Sequence, residues 1–211
     1  MSYIVTSLEK GERGRRNLCL DGRINLQLYP GEVRKYALEV GCEVSEEIYQ
    51  EILHMVLGKR AVKRAMHLLE RQEKTEYQLR EKLLLNSYPQ EAIEDAIDYV
   101  KRYRYLDDER YARTFILFHQ EKRSRARLKT DLYKRGISSE TIEAALEEVF
   151  SSDEREKIKE LLIKRRFPQS EGDEKEFQKN YQFLMRRGFK GSDILPVMKS
   201  MGQHKHLKAC T

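Results

Sequence analysis

The sequence predicts a mainly α-helical protein: three tandem three-helix repeats in an elongated, curved array, preceded by a small amino-terminal β-hairpin and helix module. Three observations predict it. From residue 59 onward the apolar residues keep a helical period. Three stretches in that region align with one another at spacings of 49 and 52 residues. Apolar residues make up only 39% of the 211-residue chain against 36% charged, which suits a thin body with much surface better than one large core.

The first thirty residues read as strands. "YIVTSLE" is apolar and β-branched, "GERGRR" interrupts it, and "NLCLDGRINLQL" alternates apolar and polar residues around Asp21-Gly22. Asp-Gly between two alternating runs is a hairpin signal, because both turn positions need positive φ. Leu18, Leu20, Ile24, Leu26 and Leu28 supply the buried face. Pro30 then suits a first helical turn, and "GEVRKYALEV" places Val33, Tyr36, Ala37 and Val40 at helical spacing before Gly41 stops it. Ser45 is the expected N-cap of a following helix with Ile48, Ile52, Met55 and Val56 on one stripe, and Gly58 either breaks that helix or is tolerated within it.

The aligned stretches are "LREKLLLNSYPQEAIEDAI", "LKTDLYKRGISSETIEAAL" and "NYQFLMRRGFKGSDILPVM". Leu83, Leu132 and Leu184 correspond, followed by Ser87, Gly136 and Gly188, then by Tyr88, Ile137 and Phe189. Ile93, Ile142 and Ile194 come next, and Ile97, Leu146 and Met198 close the pattern. Each stretch reads as a helix, a left-handed stop at the Ser/Gly position, and a second helix. Earlier helices at 59–72, 108–122 and 153–166 complete the triplets. The expected divisions are 1–58 for the hairpin and helix module, 59–107, 108–150 and 151–211 for the three repeats, the last with the carboxy-terminal tail.

Net charge is +6, unevenly placed: residues 1–58 hold seven basic and nine acidic residues, the remainder 34 basic and 26 acidic. This makes a polyanion or an acidic partner surface plausible. Cys19, Cys42 and Cys210 form no CxxC motif and read as reduced thiols of a cytoplasmic protein. The opening "MSYIVTSLEKGERG" reaches charge before any long apolar run, so neither a leader nor a membrane span is expected. No glycine-rich phosphate loop, GxSxG or HExxH is present, which argues against an enzyme. His204 and His206 with Cys210 lack a fourth metal ligand. Asp107 and Asp108 read as caps of the helix that follows rather than as a catalytic pair, since no metal cage or acid-base partner accompanies them.

Several motifs resemble the RecX family, regulatory proteins of the RecA recombinase. "TEYQLREKL" is similar to its S-x-x-E-L-x-x-K-L, "YLDDERYA" to its LDD-x-x-[FY]-A, and "SRARLKTDLYKRGI" to its second-repeat signature. "NYQFLMRRGF" with "DILPVM" matches the third. The resemblance runs from about Ala61 to Met198, and the amino-terminal segment resembles an extension of some members only. Gln78 stands where Glu is usual, Ser124 replaces a glycine, and Asp131 replaces Glu. The change at Ser124 puts a close backbone approach at that turn in question.

The resemblance implies a non-enzymatic modulator of RecA, usually an inhibitor, acting in recombination, DNA repair and the SOS response. It lies in the groove of the RecA–DNA filament, limits extension, strand exchange and ATP hydrolysis, and needs no cofactor. The implied partners are the RecA filament and single- or double-stranded DNA reached through it, met by a monomer. On this reading the basic face comprises Lys122, Arg123, Arg125, Arg127, Lys129, Lys134 and Arg135 in the middle repeat, with Lys164, Arg165, Arg166, Arg186, Arg187 and Lys190 in the last. The bland reading of the same residues is a solvated helix face. Tyr103, Tyr105 and Tyr111 interleave with Arg102, Arg104 and Arg110; base stacking is one use for them, but at least two are expected in the core. The alternative function is a free-standing DNA- or RNA-binding protein acting without RecA. The segment 167–176 reads as a loop of unassigned order.

Overall fold

A computed structural model describes residues 1–151, 153–167 and 174–203. The alternating amino-terminal pattern forms an antiparallel sheet of β1 (Ser2–Lys10), β2 (Arg16–Leu20), β3 (Ile24–Leu28) and β4 (Glu43–Ser45), in the order β3-β2-β1-β4. Asp21 and Gly22 both take positive φ, 50° and 67°, and close the β2–β3 hairpin with Leu20 opposite Ile24. Its inner face buries Leu18, Leu20, Leu26 and Leu28 with Val5 and Val44, while Ile24 is only half-buried at the turn.

Helix α1 (Pro30–Lys35) is shorter than its apolar spacing suggested. Ala37 turns left-handed at φ 50°, Leu38 enters the core in place of Ala37, and Val40 is exposed. The chain then returns as the short β4, which pairs Val44 with Tyr3; the sequence pattern gave no sign of this strand. Ser45 caps α2 (Glu46–Gln50), its hydroxyl accepting from the Ile48 amide at 3.3 Å. The helix runs on through a π-helical stretch, Glu51–Gly58, into α3 (Lys59–Arg71). That wider winding changes the buried register: Leu53 and Leu57 are inside, and Met55 faces solvent. Gly58 is tolerated within this continuous helix, where the Asp95 carboxylate lies against it.

Three helical triplets follow. The first is α3 with α4 (Glu76–Leu84) and α5 (Gln90–Arg102); the second is α6 (Asp108–His119), α7 (Arg125–Tyr133) and α8 (Ser139–Val149). The third is α9 (Glu154–Lys164), α10 (Glu174–Arg186) and α11 (Gly191–Gln203). Every aligned apolar position is buried: Leu83, Leu132 and Leu184 at 0% exposure, with Ile93, Ile142 and Ile194 beside them. Such a side chain contributes roughly 1.5–3 kcal/mol on leaving water. The stop is the same in all three. Ser87, Gly136 and Gly188 sit at φ 61°, 80° and 84°. The amides of Tyr88, Ile137 and Phe189 reach back to the carbonyls of Leu83, Leu132 and Leu184 at 3.4, 3.4 and 3.3 Å.

The chain divides into two compact units, Met1–Asp107 and a second beginning at Asp108. Within the first, the sheet leucines and the first triplet share one continuous core, in which Leu20, Leu28, Leu57, Leu79, Leu83 and Ile97 all take part. Within the second, the middle and last triplets keep separate cores, one around Leu128, Leu132 and Ile142, the other around Leu162, Leu184 and Phe189. No helix among the described residues is long and apolar enough to cross a membrane.

Candidate polyanion-binding face

The arginines of the middle triplet are positioned by the start of α7. Ser124 is buried and caps that helix, its hydroxyl accepting from the Arg127 amide at 3.1 Å. Two turns after this cap comes Asp131, a carboxylate that is only 6% exposed. Arg123 Nη1 meets its Oδ2 at 2.6 Å, Arg127 Nε its Oδ1 at 3.1 Å, and Arg135 Nη1 donates to its backbone oxygen at 2.6 Å. Arg125 and Lys129 converge on Glu143 of α8, the former at 3.1 Å. Lys129 first and Arg125 second hold the Glu143 carboxyl below its ordinary value. Lys122 and Lys134 are exposed and make no ion pair among the described residues. Much of the positive charge that the sequence places here is therefore balanced inside the triplet.

The last triplet differs from the middle one at the repeat position of Asp131. Fifty-two residues after Asp131 stands Phe183. Where the middle triplet has a carboxylate, this one has a ring, with the guanidinium carbons of Arg165 and Arg187 at 4.1 and 3.5 Å from its centroid. Arg165 Nε donates to Asn180 Oδ1 at 2.9 Å, and Asn180 in turn donates to Glu176 at 3.2 Å, so the nearest carboxylate on this path acts through an amide. Arg187 Nη1 donates weakly to the Phe183 carbonyl at 3.4 Å, and its buried Nε has no partner among the described residues. Burial first, then Arg165, Arg186 and Arg123, push the Arg187 guanidinium below its ordinary value. Arg165, Arg186, Lys175 and Lys179 line an open depression together with Gln178, Gln182 and the carboxylate of Glu174. Arg166, Arg186 and Lys190 are exposed without an ion pair among the described residues, whereas Lys164 pairs with Glu160 at 3.6 Å. A guanidinium on a ring face keeps its edge donors for an external acceptor, which suits phosphate or carboxylate recognition.

The two clusters meet at the seam between the triplets. The Ser124 amide donates to the Arg187 carbonyl at 3.1 Å and the Ser124 hydroxyl to the Gly188 carbonyl at 2.7 Å. The close backbone approach in question at Ser124 exists, and the glycine that permits it is Gly188 across the seam. The Arg125 N–H also donates across the seam to Glu154 at 2.7 Å, while inside the last triplet Arg155 pairs with Asp193 at 3.3 Å.

Asp108 opens α6 with Asp107 just before it, placing both carboxylates at the positive end of the helix dipole. The tyrosine expectation is corrected. Tyr103 and Tyr105 are 55% and 47% exposed, because Val100 and Leu106 fill the core at that turn, and only Tyr111 is half-buried, facing Phe115. Asn180 and Lys157, both buried, were not singled out from sequence. Asn180 carried a signal, since it is a polar residue in the column otherwise held by Leu79 and Leu128. Among the described residues no three His, Cys, Asp or Glu side chains gather to hold a metal ion. His204, His206 and Cys210, like most of the 167–176 segment, lie outside the described residues.

A chain of three consecutive three-helix modules belongs to the class of helical-repeat proteins. The RecX first, second and third three-helix domains match residues 61–99, 107–146 and 153–198, so the chain belongs to the RecX family. It is 30% identical to the regulatory protein RecX of Caldanaerobacter subterraneus subsp. tengcongensis, covering 90% of this chain and 96% of that one. It is 33% identical to the RecX of Clostridium botulinum strain Alaska E43, covering 90% and 92%. A crystal structure of a regulatory protein RecX shares the fold with a TM-score of 0.59 at 24% identity, over 94% of this chain and 99% of that one. The RecX of Lactobacillus salivarius does so at 0.57 and 20% identity, over 69% and 96%.

Proposed function

We propose that this chain modulates the RecA recombinase, most simply as an inhibitor, by binding in the groove of the RecA–DNA filament without chemistry of its own. Family membership supports the regulatory role. The observation that carries the contact surface is the ring-for-carboxylate exchange at Phe183, which leaves Arg165 and Arg187 on a ring face without the internal counter-ion that Asp131 gives the middle triplet, beside the exposed Arg186. The last triplet therefore supplies the leading cations, with the exposed Lys122 and Lys134 of the middle triplet in addition, while Arg123, Arg125, Arg127, Lys129 and Arg135 serve mainly to hold the module together. Such cations meet DNA phosphates or acidic side chains lining the filament.

The test titrates the chain into RecA on single-stranded DNA and measures ATP hydrolysis together with filament length by electron microscopy. Wild type is expected to shorten filaments and slow hydrolysis. Arg186→Glu with Lys190→Glu, both at exposed positions, is expected to lose most of that effect while its thermal unfolding stays unchanged. Unaltered filaments at saturating wild-type protein overturn the reading. Tight binding to bare DNA together with filaments and ATP hydrolysis left unaltered at saturating protein would support the free-standing alternative instead.

A further inference from the structure

The exposed tyrosines at the end of the first triplet form an ordered row. Tyr99 and Tyr103 lie one helical turn apart with ring centroids 4.7 Å apart. Arg104 then turns left-handed at φ 56°, and this brings Tyr105 back beside Tyr103 at 6.3 Å with 30° between the rings. The row is held from beneath: the Tyr105 and Leu106 amides both donate to the Val100 carbonyl, at 2.8 and 3.2 Å, while Val100 and Leu106 are buried. Three large rings at 40%, 55% and 47% exposure do not fill a core. Nor does the repeat need them, since the residues 49 positions on are Glu148, Ser152 and Glu154.

We infer that Tyr99, Tyr103 and Tyr105 form a stacking platform for the unpaired bases of single-stranded nucleic acid. Tyr103 and Tyr105, with centroids 6.3 Å and planes 30° apart, offer neighbouring exposed ring surface on which the bases of one strand can stack. Arg102 is exposed beside the row and makes no ion pair among the described residues, which places a cation where the backbone of a stacked strand runs. Lys101 is tied to Glu76, and Asp98 adds a nearby negative charge, so the recognition comes from the rings more than from charge. A duplex, whose bases are already stacked on one another, does not satisfy this site. The site uses residues of the first unit alone and does not depend on RecA.

The experiment uses the full chain and two labelled probes of equal length, an oligothymidylate and the same deoxyribose-phosphate strand without bases, compared by fluorescence anisotropy at one salt concentration. Wild type is expected to bind the base-bearing strand about tenfold more tightly. Tyr103→Ala with Tyr105→Ala removes that preference and leaves the abasic affinity unchanged, while Tyr103→Phe with Tyr105→Phe keeps it. Because the chain has no tryptophan, tyrosine quenching by the base-bearing strand that exceeds the inner-filter loss, and that disappears in the alanine pair, is a second readout of stacking at these rings. Equal binding of the two strands by wild type, or a preference that survives the alanine pair, overturns the inference. Loss of the effect on RecA in the alanine pair, with oligonucleotide binding intact, overturns it in favour of a protein contact. Arg186→Glu lowers binding of both strands alike, so failure of the arginine reading is read separately.

Discussion

Gly188→Ala isolates the seam between the middle and last triplets. Gly188 has a φ of 84°, where a side chain costs about 1–2 kcal/mol. A methyl group there lands 2.6 Å from Arg127 Cβ and 2.7 Å from the Ser124 hydroxyl, with Arg127 Cα at 3.3 Å behind them. Two of these three atoms belong to the helix itself or its first side-chain carbon, so neither can swing aside, and the triplets must part. Parting stretches the two hydrogen bonds that Ser124 makes to Arg187 and Gly188, each worth about 1 kcal/mol net. The total is about 3–4 kcal/mol, of which about 2 falls on the seam alone. Gly41→Ala is the control, because Gly41 has a φ of 88° and no heavy atom within 4 Å of the added methyl. Hydrogen exchange should show the Ser124 amide exchanging about 30-fold faster in Gly188→Ala, and no faster in Gly41→Ala. The reasoning fails if urea denaturation gives the two substitutions equal losses and Ser124 keeps its protection.

Asp131→Asn removes a buried charge that anchors two arginines; it is expected to lower stability by about 1–3 kcal/mol while raising salt-sensitive oligonucleotide affinity as Arg123 and Arg127 come free, read from urea and salt titrations. Lys157 is 4% exposed, its Nζ lacks a hydrogen-bond partner among the described residues, and it lies 4.2 Å from the Phe150 ring. Burial lowers its pKa, against the weaker pull of Glu121 and Glu154. Between that lowered value and the ordinary lysine value the unfolded chain binds more protons, so wild-type stability should rise with pH there; Lys157→Met should flatten the rise and add about 1 kcal/mol at neutral pH, measured by thermal melts across pH. Arg186→Glu with Lys190→Glu should reduce the salt slope of DNA binding by about one unit per phosphate contact removed, and an unchanged slope would place the contact elsewhere.

The repeat was legible because its message is local and redundant. One buried leucine, one left-handed stop and one isoleucine recur in each triplet, and the backbone answers with the same hydrogen bonds each time. The Asp-Gly hairpin was legible for the same reason. What escaped the pattern depends on contacts between distant residues. Met55 fits an α-helical stripe as well as Leu57 does, and only the π-helical winding chooses between them. Ala37 has no local reason to turn left-handed; its turn places Leu38 under the sheet and frees β4 to reach β1. At the candidate site, counting cations located both clusters but could not tell balanced charge from open charge. That distinction rests on Asp131 and Phe183, two unlike residues that the repeat brings to one place.

Because the sheet and the first triplet bury their leucines in one common interior, the three triplets are not interchangeable parts. The middle and last ones close over their own side chains, whereas the first relies on a lining contributed by the β2–β3 hairpin, which ends at Leu28, well upstream of Leu57. An insertion, duplication or swap that preserves the recurring helical motif can still leave that triplet hollow unless the hairpin travels with it.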